Sequence, residues 1–450
     1  MVFRPNQELY QTILDAYFFA YPFVQSVLYA QNRTNVIKAN DELGKSPYNQ
    51  FSHAREYWHA KNNLHGGINM DVLYSIMTLD LGEDALFYHK PQTDRFYTLQ
   101  IADAYGNPVA VIGSGGLGNE EEQNYLLAGP DFSGEAPART TIIPIPTNLA
   151  SVLLRIQVKN KEDIAEVVRL QDLSIVTPLR YLHQPYTAPD GIYNPAYDYI
   201  FYGKIKTLSL EEFFSIFNQY SLLFPPTGTD RIQTEKYISY GIGPGKHFKF
   251  EQFNDTGLIK LLKKIPEQVD LIIDEMANTK TAHEQNHWVY TLNLKTDTVN
   301  YRERAYAFQW GPMPNPPEAA IYPTTFQDRD GDPISGNLKY VIHFENGNLP
   351  AVKKYGYWSI SAYTRKGLYL IDNEIDRYKI GSEDDLIFHE NGSLDLYIQK
   401  ERPKGEKQRN WLPIDGEEVL LFFRIYLPET NVLHGEWKPP YVEKSREDLA

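Results

Sequence analysis

The sequence runs to 450 residues, lacks cysteine and carries a formal net charge of −14. That length exceeds one ordinary core and predicts two or three domains; the missing thiols exclude disulfides, Cys-ligated zinc, thiol nucleophiles and iron–sulfur clusters. The acidic balance, with no basic stripe to offset it, speaks against nucleic-acid binding.

Near the N-terminus, Leu9, Ile13, Leu14, Tyr17, Phe18, Tyr21, Val24 and Leu28 recur at helical spacing. Asp15 and Gln25 interrupt the run, so it falls short of the about 20 apolar residues of a membrane span. Only Arg4 precedes it, which is too little for a signal peptide. The pattern predicts a packing helix bent at Pro22, no membrane span, and a cytoplasmic protein as written (virion-associated if the source is viral). Residues 74–81, 96–103, 109–113 and 142–156 are β-branched or aromatic runs bounded by turn residues and read as strands. Asn160 is placed to cap a helix running to about Leu170.

Ser209 and Glu212 form a capping box that opens a helix through Phe224, and residues 258–264 and 266–278 are amphipathic. A helical layer is therefore expected at roughly 205–280. Residues 338–344, 357–363, 394–399 and 419–427 return to strand patterning, and the 443–450 tail is charged. The 33 tyrosines fit sheets and clefts for polar ligands, because the ring buries while its hydroxyl stays hydrogen-bonded. The predicted fold class is mainly β with a helical segment (α+β): two β-sandwich or jelly-roll-like domains bracketing a helical middle. The expected division is a packing helix in 1–45, a β domain in 46–185, helices in 186–300 and a second β domain in 301–450.

Three motifs carry less chemistry than their strings suggest. Gly113-Ser-Gly115-Gly116-Leu-Gly118 matches G-x-G-x-x-G, but a dinucleotide site needs a helix to begin there. Glutamates and a strand-like run at 125–130 follow instead, so the string reads as a glycine-rich loop. His283-Glu284-Gln-Asn-His287 would bind zinc on a helix, with Glu284 as base. It falls in a polar stretch beyond the 266–278 helix and no third ligand has diagnostic spacing, so no metal is assigned. Asp328, Asp330 and Asp332 resemble half a calcium loop without its twelfth-position Glu, and an acidic turn is expected. No cofactor is called for.

The more informative constellation sets polar residues beside aromatics at strand ends. Asn69 and Asp71 share a face by alternation at the start of the strand that holds Tyr74, and Asp103 ends a neighbouring run. Paired carboxylates can do acid–base work, and Trp358, Arg377, Trp411, Arg424 and Tyr426 offer walls and hydrogen bonds. These residues predict a cleft between the β domains that binds or hydrolyses a small polar, carbohydrate-like ligand. Asn69, Asp71 and Asp103 are the candidate catalytic groups; Tyr74, Trp358, Arg377, Trp411, Arg424 and Tyr426 are the candidate binding groups. On that reading Asp71→Ala abolishes binding and leaves stability nearly unchanged. One alternative is a buried hydrogen-bond network that ties the sheets together. Another is a non-enzymatic particle or envelope component that works through oligomeric surfaces.

The stretch Tyr48-Asn-Gln-Phe-Ser-His-Ala-Arg55, followed by Asn69-Met-Asp71-Val-Leu-Tyr74-Ser75 and Leu79-Asp80-Leu81, resembles the family called domain of unknown function 1254. Arg95-Phe-Tyr97, Asp103, Gly129-Pro130 and Leu170-Gln171 continue that likeness. Tyr357-Trp358-Ser359, Arg377-Tyr378, Asn410-Trp411-Leu412-Pro413, Arg424-Ile-Tyr426 and Gly435-Glu-Trp437 resemble its usual partner, domain of unknown function 1214. The resemblance implies two jelly-roll-like β domains with a helical insert, homo-oligomerisation and no reaction that carries over. Two positions depart from the family pattern: Val72 stands where a Thr is usual, and Ser114–Gly118 replaces an Arg-Thr-rich turn.

Overall fold

The structure, a computed structural model, describes residues 4–57, 59–60, 67–118, 120–200, 203–277, 283–290, 292, 300–310, 313 and 315–445. Asn278, expected to end a helix, and the 446–450 end of the charged tail lie outside the described residues.

Helix α1 (Arg4–Arg33) runs through Pro22 without a break. Ile13, Tyr17, Phe18, Phe19, Tyr21, Phe23 and Val24 are all buried, so the helix is apolar nearly all round and lies in the interior. The N-terminal strands follow as β1 (Ser52–His53), β2 (Val72–Asp80), β3 (Leu86–Lys90), β4 (Tyr97–Asp103), β5 (Pro108–Gly113), β6 (Gln123–Ala128), β7 (Thr140–Pro144) and β8 (Leu149–Gln157). Asn160 accepts a hydrogen bond from the Asp163 amide and caps a 3-10 turn that leads into α2 (Ile164–Leu173), before β9 (Ile175–Pro178).

The middle of the chain is helical: α3 (Leu210–Leu223), α4 (Gly228–Glu235), α5 (Thr256–Leu262) and α6 (Ile265–Ala277). The Ser209–Glu212 capping box is formed in both directions, the Glu212 amide reaching Ser209 Oγ at 3.3 Å and the Ser209 amide reaching Glu212 Oε2 at 2.8 Å. Next come β10 (His283–Gln285), β11 (Trp288–Tyr290) and α7 (Tyr301–Trp310), which packs on α1 and α6 within the helical layer. The last strands are β12 (Ala320–Ile321), β13 (Thr324–Thr325), β14 (Tyr340–Phe344), β15 (Val352–Thr364), β16 (Lys379–Gly381), β17 (Leu394–Gln399), β18 (Trp411–Pro413) and β19 (Val419–Pro428). A short α8 (Thr430–Leu433) and β20 (Val442–Lys444) close the chain.

These strands build four sheets, ordered β1-β2-β8-β4-β5, β7-β6-β3-β9, β10-β11-β13-β19-β15-β16 with β12 also on β19, and β18-β17-β14-β20. The first two share one core through Met77, Leu79, Leu99, Val152 and Leu154 against Tyr88, Tyr125 and Leu127. The last two share another through Trp358, Ile360, Phe423 and Ile425 against Tyr340, Ile342, Leu396 and Ile398. The protein is thus β-rich with several sheets around a helical middle region.

Strand alternation puts a second set of residues on the outer faces of the two large sheets. On the first sheet these are Tyr74, Phe96, Thr98, Gln100 and Arg155; on the third they are Tyr357, Ser359, Ser361, Phe422, Arg424 and Tyr426. The two outer faces meet, with Val72 and Phe96 packed against Tyr357 and Tyr426. The other end of the first sheet meets the helices through Ile76, Ala104, Tyr105 and Leu149. Strands of both large sheets are therefore covered on two sides, which explains their long apolar runs.

Candidate functional site

Where the two large sheets face each other, the apolar packing gives way to a cluster of charged and hydroxylated side chains. Asp71, one residue before β2, is fully buried. Its carboxylate accepts from Lys379 Nζ at 2.9 Å, Ser359 Oγ at 2.6 Å and Tyr426 Oη at 3.2 Å. Its own amide donates to Asn69 Oδ1 at 2.8 Å, and Asn69 Nδ2 donates to Tyr426 Oη at 2.8 Å. Burial pushes the Asp71 carboxyl up, but Lys379, Arg424 and the Ser359 hydrogen bond outweigh it and hold the group below its ordinary value.

Arg424, on β19 opposite Ser359, donates to Ser361 Oγ at 3.0 Å and Tyr363 Oη at 2.9 Å. From the facing sheet, Arg155 donates to Gln100 Oε1 at 2.9 Å, Asn315 Oδ1 at 3.1 Å and the Met313 carbonyl at 2.6 Å. Its guanidinium lies 5.8 Å from the Tyr74 ring centre. Asn315 Nδ2 in turn donates to Tyr322 Oη at 2.6 Å. Tyr357 and Tyr426 stack at 4.2 Å, with Phe96 edge-on to Tyr426 at 5.0 Å. Asn69, Tyr74 and Tyr322 are only partly buried, so the cluster reaches solvent through them. Buried charges, neutral amides and phenols converge here from both β units.

The sequence-derived candidates do not all meet at this point. Asn69, Asp71, Tyr74, Arg424 and Tyr426 are brought together. Asp103 is not: it pairs with Ala150 on β8, whereas Val72 pairs with Gln157. Asp71 lies one residue beyond Val72, level with Val158, so eight positions along the strand direction separate the two acidic residues, about 26 Å at about 3.3 Å per residue. Asp103 instead accepts from the amides of Tyr105 and Asn107, both at 2.9 Å, and from Asn107 Nδ2 at 2.9 Å. Asn107 Nδ2 also reaches Asp230 Oδ2 at 3.0 Å, and Arg304 closes the chain at 3.1 Å. Burial, with Asp230 adding to it, pushes the Asp103 carboxyl up to about 6. This second network pins the β4–β5 turn to the helical layer.

Trp358 shares the alternation of Ile360 and so points into the C-terminal core beside Phe344 and Phe423. Trp411 is buried and donates to the Gln399 carbonyl at 2.8 Å. Arg377 clamps the loop before it, donating to the Trp411 carbonyl at 3.0 Å and pairing with Asp384 at 3.1 Å. These three fasten the C-terminal β unit together, away from the Asp71 cluster.

His283 opens β10 and His287 sits in the two-residue turn that joins it to β11, so neither lies on a helix. The His283 ring packs on Tyr290 and the His287 ring on Tyr441, so the two imidazoles are directed to different neighbours. Glu284 is exposed on the same hairpin. Asp328, Asp330 and Asp332 form a tight acidic turn, with the Lys444 ammonium 3.2, 3.3 and 2.6 Å from their carboxylates. Lys444 supplies there the positive charge that a cation would. Gly113–Gly118 is a loop with no helix after it; a Cβ on Gly116 would lie 2.1 Å from the Val111 carbonyl oxygen. An apolar recess of about 480 Å³ lined by Gly129, Pro130, Phe132, Ile142 and Pro146 lies on the β6–β7 edge, with no titratable group in its wall. The charged cluster, unlike this recess, is built from buried cations, a carboxylate and hydroxyls.

Sequence reading missed Arg155, Ser359, Lys379, Asn315 and Tyr322. A signal existed for Arg155: like Arg424, it is the one charged residue of a mostly apolar strand, which marks a charge held inside.

Residues 48–178 match the family model described as a protein of unknown function, DUF1254, and residues 319–430 match the one described as a protein of unknown function, DUF1214. No curated protein matches the chain significantly. The crystal structure of the VPA0106 protein from Vibrio parahaemolyticus is similar over 97% of this chain and 99% of that one, at 20% identity and a TM-score of 0.72. At that identity the likeness is one of fold. An uncharacterized protein from Burkholderia cenocepacia aligns over 98% of this chain and 96% of that one at 8% identity and a TM-score of 0.44, too distant to carry weight.

Proposed function

For a chain that belongs to the family joining domains of unknown function 1254 and 1214, we propose that the contact between its inner sheets is a binding cleft for a small polar, carbohydrate-like ligand. The observation that carries this reading is the convergence of Asn69, Tyr74, Arg155, Tyr322, Arg424 and Tyr426 from both β units, with Asn69, Tyr74 and Tyr322 partly buried. Phenol rings give flat apolar faces with polar tips, and amides and guanidiniums supply directed donors; sugars and sugar-like polyols need both.

Binding is better supported than hydrolysis. Glycosidase carboxyl pairs stand roughly 5–10 Å apart, and Asp71 and Asp103 are at opposite ends of β8. Asp71 is also committed to Lys379, Ser359 and Tyr426, which leaves its proton chemistry to the protein interior. In this reading Asp71 is the brace of the cleft floor.

Isothermal titration with a panel of neutral and acidic monosaccharides tests it, using Tyr74→Ala and Asn69→Ala. At least one sugar should bind the native chain and bind either variant at least about tenfold more weakly, a loss of about 1.4 kcal/mol. Affinity unchanged in both variants would sink the reading.

A further inference from the structure

We infer that the ligand enters this cleft with an anionic group, a carboxylate or phosphate, directed at Arg155 and Arg424. The inference rests on the cleft reading above and adds the charge of the ligand.

Arg155 is 6% exposed and Arg424 is 3% exposed. Every hydrogen-bond acceptor that they use is neutral: amide oxygens, a carbonyl and hydroxyls. Among the described residues no carboxylate forms an ion pair with either, whereas buried Arg95 pairs with Asp163 and buried Arg304 with Asp230. Among the described residues, the cluster holds three cations, Arg155, Arg424 and Lys379, against the one carboxylate of Asp71, which Lys379 engages directly. Two positive charges are left over in a low-dielectric interface, where an unpaired ion is costly.

A buried lysine can relieve such a cost by shedding its proton. Lys90, held by backbone carbonyls, is moved in that direction: burial lowers its ammonium to about 8. A guanidinium has no such escape, because it stays protonated at any pH a protein survives. It also presents five donors in a planar fork suited to carboxylate and phosphate oxygens. Arg155 makes three hydrogen bonds and Arg424 two among the described residues, so each fork retains donors. Arg155 is tied through Asn315 to the Tyr322 hydroxyl, and the charges of both guanidiniums oppose the effect of burial on that phenol.

The test is thermal unfolding of the full chain in sodium chloride, sodium D-glucuronate and sodium phosphate at equal ionic strength, with neutral D-glucose as a fourth arm. Glucuronate or phosphate near ten times its dissociation constant should raise Tm by about 1–2 °C over chloride. Arg155→Gln and Arg424→Gln should each lose that rise, and Arg155→Lys should keep part of it. No rise with either anion overturns the inference on the native chain alone, even if a variant fails to fold. A rise that survives in both glutamine variants also overturns it. Stabilisation by glucose without either anion sinks the anion inference and leaves the sugar cleft standing; stabilisation by phosphate with neither sugar does the reverse.

Discussion

The ammonium of Lys379 lies 2.9 Å from the carboxylate of Asp71, and this pair joins β16 of the C-terminal sheets to the residue just before β2 of the N-terminal ones. The side chains are separated by 308 positions in sequence, so the bond forms only when both β units are folded and docked. It makes Asp71 a hub of the interface.

Asp71→Ala should therefore destabilise the protein by about 3–5 kcal/mol, the usual cost of leaving one member of a buried pair alone. This replaces the expectation from sequence that the substitution spares stability. Urea unfolding of Asp71→Ala, Lys379→Met and the double variant measures it. The double variant should be less damaged than the sum of the singles, since removing both charges leaves none stranded. Strict additivity would mean that the pair is not coupled.

Tyr426→Phe should cost about 1–3 kcal/mol and weaken ligand binding. The phenol accepts from Asn69 and donates to Asp71, and removing it leaves a buried carboxylate one donor short while the ring stacking on Tyr357 survives. Denaturant midpoint and titration affinity, measured together, check both halves.

Two buried groups should titrate in opposite senses. His53 donates or accepts at Ser75 Oγ, 2.7 Å away, and burial, helped by Arg55, lowers its pKa to about 4. The unfolded imidazole takes up its proton near 6.5, so stability is lost as pH falls from 6.5 towards 4, by about 3 kcal/mol at most. The Asp103 carboxyl, raised to about 6, behaves in reverse: its contribution is present below about 4 and is lost as pH rises through 6. His53→Asn should flatten the acid side of the stability profile and Asp103→Asn should steepen it. Unfolding free energies from pH 4 to 7 give both slopes, and equal slopes in native and variant chains would contradict the assignment.

Calcium should leave Tm unchanged at millimolar concentration, because the Lys444 ammonium already contacts all three carboxylates of the Asp328–Asp330–Asp332 turn. A calcium-dependent rise in the native chain, read by thermal unfolding, would mean that the ammonium is displaced.

Much of the architecture was legible in the residues. The Ser209 capping box, the helical spacing of α1 and the strand runs around Tyr74, Tyr97, Ile360 and Phe423 rest on local chemistry, which one sequence carries in full. The convergence of Asn69, Asp71, Tyr74, Arg424 and Tyr426 was partly legible, because a polar residue in an apolar run signals a buried partner. Which partner was not legible. Lys379 sits on a three-residue strand, and Asn315 lies outside any strand, so neither has a periodicity to mark its direction. Trp358 was misleading for the opposite reason: its size suggests a ligand wall, but its parity with Ile360 turns it into the core. Asp103 ends its strand at the far edge of the same sheet, and only strand pairing reveals that distance.

A crystal structure of the protein soaked in sodium D-glucuronate addresses the cleft most directly. The account predicts a sugar acid with its carboxylate between Arg155 and Arg424 and its ring beside Tyr74 and Tyr322. An empty interface, or density confined to the apolar recess at Phe132 and Ile142, would contradict it.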